Sequence, residues 1–212
     1  MLAIKPGLLA RQVSGPTPEV LATALEEGVN LSVWERRLPA SVKAFTSTLI
    51  NTVTHLTESL AVELPTEDAQ PGLQGLVAGY RHIDGCADFM ADVGWLVQAY
   101  SCLLGARRVG LRLRVLERTM CPRFHVDYVP LRLITTYVGA GSQWLEEGAM
   151  CRSQLGNPAE EPRHSIHQLG CGHVALFKGE KWLGNEGKGL IHRSPQMEMS
   201  EKRLVLTLDW LG

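Results

Sequence analysis

The hydrophobic period of this chain changes near residue 106, and few architectures accommodate such a change. Before it, Val42, Phe45, Leu49, Val53, Leu56 and Leu60 step by three or four, with Ser41 placed to cap a helix start. Phe89, Val93, Leu96, Val97, Tyr100 and Leu104 repeat that spacing, and Gly105 would end the second helix. LQGLVAGYRHI reads as a third helical stretch, and ELPTEDAQPG between the first two as a loop. After residue 106 the period becomes two. In RRVGLRLRVL, Val109, Leu111, Leu113 and Val115 alternate with Gly110, Arg112, Arg114 and Leu116, which predicts a strand with one face on the core. FHVDYV, LRLITTYV, HVALFK, GLIHRS and RLVLTLDW read as further strands, with SIHQL a weaker candidate.

Short strands in the second half and amphipathic helices in the first predict an α+β fold. The expected form is a C-terminal double-stranded β-helix, or jelly roll, buttressed by N-terminal α-helices. Residues 1–106 would form a mainly helical region packed on the sheet, and residues 107–212 the β unit, together one compact body.

Composition narrows the function classes. At 212 residues the chain is long enough for a full core, and its formal charge of −1 offers no general attraction to nucleic acid or anionic lipid. No apolar run reaches the ~20 residues of a spanning helix. The opening MLAIKPGLLA is interrupted by Pro6 and Gly7 and reads as part of the mature protein. Five cysteines (Cys86, Cys102, Cys121, Cys151 and Cys171) without C-x-x-C spacing suggest reduced thiols, hence a cytoplasmic protein. Oligomeric state is open.

The chemistry concentrates in CPRFHVDY, GLIHRSP and KRLVLTLDW. His125 and Asp127, two apart in a β-rich stretch, would point to one side of a strand. With His192 from a later strand they make two imidazoles and one carboxylate, the set that binds ferrous ion on one face and leaves other positions open. Arg203 follows on the next strand, suited to the remote carboxylate of a chelating co-substrate. It shares parity with Val205 and Thr207, whereas Leu204, Leu206 and Leu208 form an apolar face. The co-substrate role therefore requires the arginine to face inward and the leucines to lie under the helices.

Around this set, Arg132 and Tyr137 have opposite parity on LRLITTYV, and either suits the cavity: the arginine as a second anion clamp, the tyrosine as a hydroxyl donor. The alternative is a surface arginine and a core tyrosine. Ser194 returns to the ligand side, while Arg193 points away. Cys121 reads as a plain buried thiol. Lys178, Trp182, Asn185 and Lys188 surround a Gly-rich loop placed near the mouth. His164, His167, Cys171 and His173 are zinc-type ligands at short range, but their spacing matches no standard zinc module.

This arrangement resembles the ferrous iron and 2-oxoglutarate-dependent oxygenases over roughly residues 107 to 210. The resemblance implies His125, Asp127 and His192 as ligands of Fe(II), with Zn(II) or another divalent ion as alternatives, and Arg203 as the partner of the 2-oxoglutarate C5 carboxylate. A longer match covers nearly the whole chain. GLRLRVLERTMCPRFHVDYVPLRLITTYVGAGSQWL, VALFKGEKWLGNEGKGLIHRSP and RLVLTLD look like the bacterial family called domain of unknown function 1826, associated with zinc-homeostasis genes. The expectation is an oxygenase acting on a small molecule or peptide. Its rivals are a metal-binding protein without turnover, serving zinc or iron homeostasis, and an interaction protein that kept the fold and lost the reaction.

Overall fold

The computed structural model describes residues 10–66, 69–162 and 164–212. The opening stretch with Pro6 and Gly7 lies outside the described residues, as do Glu67 and Asp68 of the expected loop. Among the described residues, ten strands and two α-helices make a mixed α+β fold. Seven strands form one sheet: β1 (Arg11–Gly15), β2 (Val29–Trp34), β3 (Thr57–Glu63), β4 (Arg108–Leu116), β5 (Leu131–Val138), β8 (Val174–Lys178) and β10 (Arg203–Trp210). Their spatial order is β1-β2-β8-β5-β10-β4-β3. All neighbours pair antiparallel except β1 with β2. A second sheet holds β6 (Gln143–Leu145), β7 (Ile166–Gln168) and β9 (His192–Arg193) in the order β7-β6-β9.

Each face of the large sheet has its own cover, which follows from the two-residue period of its strands. Val109, Leu111, Leu113 and Val115 of β4, with Leu204, Leu206 and Leu208 of β10, join the main core. Over them lie α1 (Ala40–Thr52) and α2 (Cys86–Leu104), through Phe45, Leu49, Phe89 and Leu96. Phe89 packs 5.0 Å from Phe45 and 5.0 Å from Tyr137. On the opposite face, Leu31, Val33, Ile134, Phe177 and Val205 cluster with Leu169 and Leu190. No helix among the described residues is long and apolar enough to cross a membrane.

Helix α2 ends as its sequence predicts: Gly105 takes φ +60 and its N–H meets the carbonyls of Ser101 and Cys102. Helix α1 differs from expectation at both ends. It begins at Ala40 after Pro39, so Ser41 sits inside the first turn and makes no cap. It stops at Thr52, where Val53 turns extended, and the chain continues into β3. Leu56 and Leu60 mimic a helical continuation because a separation of four residues fits both a helix face and a strand face. The expected third helix is also absent. LQGLVAGYRHI folds as turns around a short 3-10 segment, Ala78–Tyr80, with Val77 at φ +45 and its N–H donated to Glu58. Gly75 and Gly79 weaken any helix there. The half before residue 106 thus contributes β1, β2 and β3 to the sheet as well as two helices.

FHVDYV is a loop tied down by backbone bonds, with only His125 bridged to His192. Its Asp127 and Val129 carbonyls accept from Glu180 and Lys181. Prolines at 122 and 130 flank it and remove two donors. The five cysteines are unbridged.

Gly139, just past the end of β5, illustrates how tightly the chain packs against β10 beside the site. Its φ is +85, and a Cβ there would stand 2.6 Å from the Lys202 carbonyl and 2.9 Å from Arg203 Cγ. Gly139→Ala is expected to lower unfolding free energy by about 1–3 kcal/mol, measured by urea denaturation, with unchanged stability contradicting this packing.

Candidate metal centre

His125, Asp127 and His192 converge in the space between the two sheets. Each offers one ligand atom, and these atoms lie within 4.8 Å of one another; no other such group occurs among the described residues. The convergence has a simple backbone cause. His125 and His192 exchange both amide bonds, N–H to carbonyl at 3.0 and 2.9 Å, which sets their rings side by side with centroids 4.5 Å apart. Asp127, two residues on, comes back to the same side: its carboxylate oxygens stand 3.8 Å from His125 Nε2 and 3.4 Å from His192 Nε2. Donors about 2 Å from a shared ion stand roughly 3–4 Å apart, so the set fits one cation.

The second ring nitrogens fix the tautomer. His125 Nδ1 lies 2.9 Å from the Arg123 carbonyl and His192 Nδ1 lies 3.0 Å from that of Leu190. A carbonyl only accepts, so each Nδ1 carries the proton and each Nε2 keeps its lone pair toward the other ligands. Burial, then the neighbouring His192 ring, hold His125 below the usual histidine value, favouring the neutral form a metal needs. For Asp127, burial opposes ionisation. Its His192 partner and the nearby Arg132 outweigh that and hold the carboxyl well below its ordinary range.

Arg132 is on the cavity side and already engaged. Its Nη1 donates to Asp127 at 2.6 Å, while Nε and Nη2 fork onto Asp209 at 2.7 and 3.2 Å. Arg112 also donates to Asp209. A chain of side chains, Arg112–Asp209–Arg132–Asp127, therefore orients the candidate ligand carboxylate. Tyr137 lies on the other face, and the suggested hydroxyl donor is corrected to a core residue. Its OH donates to Asp92 at 2.6 Å beneath α2, where Arg36 grips the same carboxylate. The parity that sends Arg132 into the cavity sends Tyr137 out of it.

Arg203 meets the parity condition. It lines the cavity with Val205 and Thr207, while Leu204, Leu206 and Leu208 lie under the helices. It is only 2% exposed. Nε donates to the Ala140 carbonyl at 2.5 Å, and Nη2 reaches Thr136 Oγ1 at 3.4 Å. Burial alone pushes its pKa down to about 10, with no acid among the described residues to offset it. Such a cation, desolvated beside an open cavity, suits an anionic partner. The cavity measures about 160 Å³, equal to roughly five waters at liquid density.

Ser194 lines this cavity, its N–H held by the Cys121 carbonyl. Cys121 lines it too and is exposed, unlike the buried thiol expected. Arg193 turns its guanidinium away, onto the Phe124 ring at 4.2 Å and to Glu161 at 2.5 Å. The Gly-rich loop does not reach the centre: Lys178, Trp182 and Asn185 border a separate cleft with Leu25 and Gly28. The second histidine cluster disperses. His167 stacks on Trp144 and faces Glu146, His173 accepts from the Gly170 N–H, and the Cys171 thiol points to the Tyr137 carbonyl.

Two parts of the site have no voice in the sequence reading, Asp209 and the arginine pair Arg112 and Arg114. The signal is present in the R-x-R alternation of β4, which by itself marks only the face away from the core.

The chain belongs to the family described as "Protein of unknown function (DUF1826)", which it matches over residues 15–209. No curated protein sequence matches it. Among solved structures it is similar to JOX2 in complex with 2OG, Fe and JA, at 9% identity and a TM-score of 0.51, covering 98% of this chain and 77% of that one. It is also similar to a Pseudomonas putida prolyl-4-hydroxylase, at 11% identity and a TM-score of 0.46, covering 91% and 96%. A third is the dioxygenase for auxin oxidation from Arabidopsis thaliana in its 2-oxoglutarate complex, at 11% identity and a TM-score of 0.39, covering 83% and 73%. At these identities the likeness to JOX2 is one of fold.

Proposed function

We propose that this protein is an Fe(II)- and 2-oxoglutarate-dependent oxygenase built on a double-stranded β-helix. The observation that carries the reading is Arg203, a buried guanidinium without an acid among the described residues, facing the same cavity as two imidazoles and a carboxylate. His125, Asp127 and His192 hold the iron, and three protein donors leave positions open for other ligands. Arg203 would bind the C5 carboxylate of 2-oxoglutarate, for which a planar guanidinium is better suited than a lysine. Arg132 keeps Asp127 ionised and oriented. Ser194 stands on the cavity wall for a hydrogen bond to co-substrate or water, and Phe177 and Ile134 keep that wall apolar. When bound, iron with 2-oxoglutarate supplies oxidative chemistry that couples loss of carbon dioxide to oxidation of a second molecule.

A metal buffer would use the same three ligands, with zinc as readily as iron. It has no use for a buried cation beside them, which is why the oxygenase reading is preferred. The test is metal analysis of protein purified without oxygen, followed by 2-oxoglutarate titration of the Fe(II) form and assay for succinate. The expected result is one metal per chain, a charge-transfer absorption that saturates with 2-oxoglutarate, and succinate formed only with metal present. Tight zinc binding with no affinity for 2-oxoglutarate would leave the buffer as the better reading.

A further inference from the structure

The large sheet turns two more arginines toward the cavity than the proposed chemistry uses. Arg112 and Arg114 alternate on β4 with the buried Leu111, Leu113 and Val115, so both face the site. Arg114 pairs in register with Val205 of β10, two residues along the same face from Arg203. Arg112 faces Thr207. The candidate ligands and these arginines thus share one cavity.

Its charges do not balance. A divalent ion, the Asp127 carboxylate, a dianionic co-substrate and Arg203 cancel one another, and Arg193 is matched by Glu161. Arg112, Arg114 and Arg132 are then left with Asp209 as their one remaining carboxylate among the described residues. Arg112 and Arg132 share it. Arg114 pairs with no carboxylate among the described residues. Its Nε is buried without an acceptor, and one terminal nitrogen lies 4.0 Å from the Met120 thioether, a poor acceptor. A buried donor without a partner is costly, and in a cavity wall it is met by water or by a ligand that completes the hydrogen bonding. Crowding of the three cations is felt by Arg112, whose pKa falls below its usual value through burial and then through Arg132 and Arg114. Arg114 also borders an outer groove with His55, Thr57 and Met120. It stands where that groove meets the cavity.

We propose that the molecule oxidised here is an anion whose carboxylate or phosphate group docks on Arg114, with Arg112 beside it. This rests on the oxygenase reading, since it treats Arg203 as taken by the co-substrate. Arg114 is then a specificity residue: it holds the charged end at the groove, and the remainder of the molecule extends over the apolar wall toward the His–Asp–His set. Neutral analogues of the same shape leave the Arg114 donors unpaired and bind poorly.

The test uses the zinc-loaded full chain, which binds without turning over, with and without saturating 2-oxoglutarate. Benzoate, phenyl phosphate and the neutral benzamide serve as probes, their affinities read by ligand NMR. At least one anion is expected to bind more than about tenfold tighter than benzamide, and the tighter of the two tells carboxylate from phosphate. Arg114→Gln should weaken that anion roughly ten- to hundredfold, leaving 2-oxoglutarate affinity nearly unchanged, and Arg114→Lys should recover part of the loss. Circular dichroism of both variants checks the fold. Equal binding of benzoate, phenyl phosphate and benzamide, or anion affinity untouched in Arg114→Gln, overturns the proposal. So does a parallel loss of 2-oxoglutarate, which would put Arg114 in the co-substrate site. A wild-type chain that ignores 2-oxoglutarate yet holds anions through Arg114 would instead remove the oxygenase reading and keep the anion site.

Discussion

His125→Ala is expected to fold normally and to bind divalent metal at least about a hundredfold more weakly than the parent chain. Substitutions one step removed from a metal already cost roughly 10- to 100-fold, and this one removes a donor atom outright. Among the three candidates, His125 gives the cleanest reading. Its side chain is 35% exposed, so truncation opens little of the core. His192 is buried and packs 4.7 Å from Phe177, so His192→Ala would mix metal loss with a cavity. Asp127→Ala would strip Arg132 of one carboxylate and disturb the chain to Asp209. Calorimetric metal titration beside a urea melt separates the effects. Parental metal affinity in a folded His125→Ala protein would remove that residue from the centre.

The second large effect is expected at Arg203. Arg203→Met should lower 2-oxoglutarate affinity by roughly a hundredfold, because two charge-assisted bonds are lost together. Metal affinity should not move. Stability is the informative control. A buried arginine that served only the fold would cost several kcal/mol on removal. One kept for a ligand carries its own desolvation penalty, so an apolar replacement of similar length should leave unfolding free energy within about 1 kcal/mol. Tight 2-oxoglutarate binding by Arg203→Met, or a severely destabilised chain, would point to a structural role.

Legibility in the sequence follows how many residues each signal spans. Helix α2 and strands β4, β5 and β10 carry long, regular periods, and their type can be read directly. Strand β2 escapes that reading although Val29, Leu31 and Val33 alternate, because Asn30 and Ser32 are buried as well and polar residues there do not mark a wet face. Strand β3 is hidden by Leu56 and Leu60, whose spacing serves either period. At the site, the sequence names the three residues that the structure brings together, since His192 and Arg203 on later strand-like segments single out an H-x-D pair that is weak evidence by itself. Asp209 and Arg114 stay silent because an arginine or an aspartate on a strand acquires meaning only when one knows which face of the sheet looks inward.

The isolated bridge between His125 and His192 has a mechanical consequence. Two backbone bonds join a loop flanked by prolines to a strand of two residues, a thin seam for the candidate metal centre. An ion held by side chains from both segments would act there as a rivet, locking together pieces of chain that the backbone only bastes. Loading the centre and stiffening the wall around it would then be a single event.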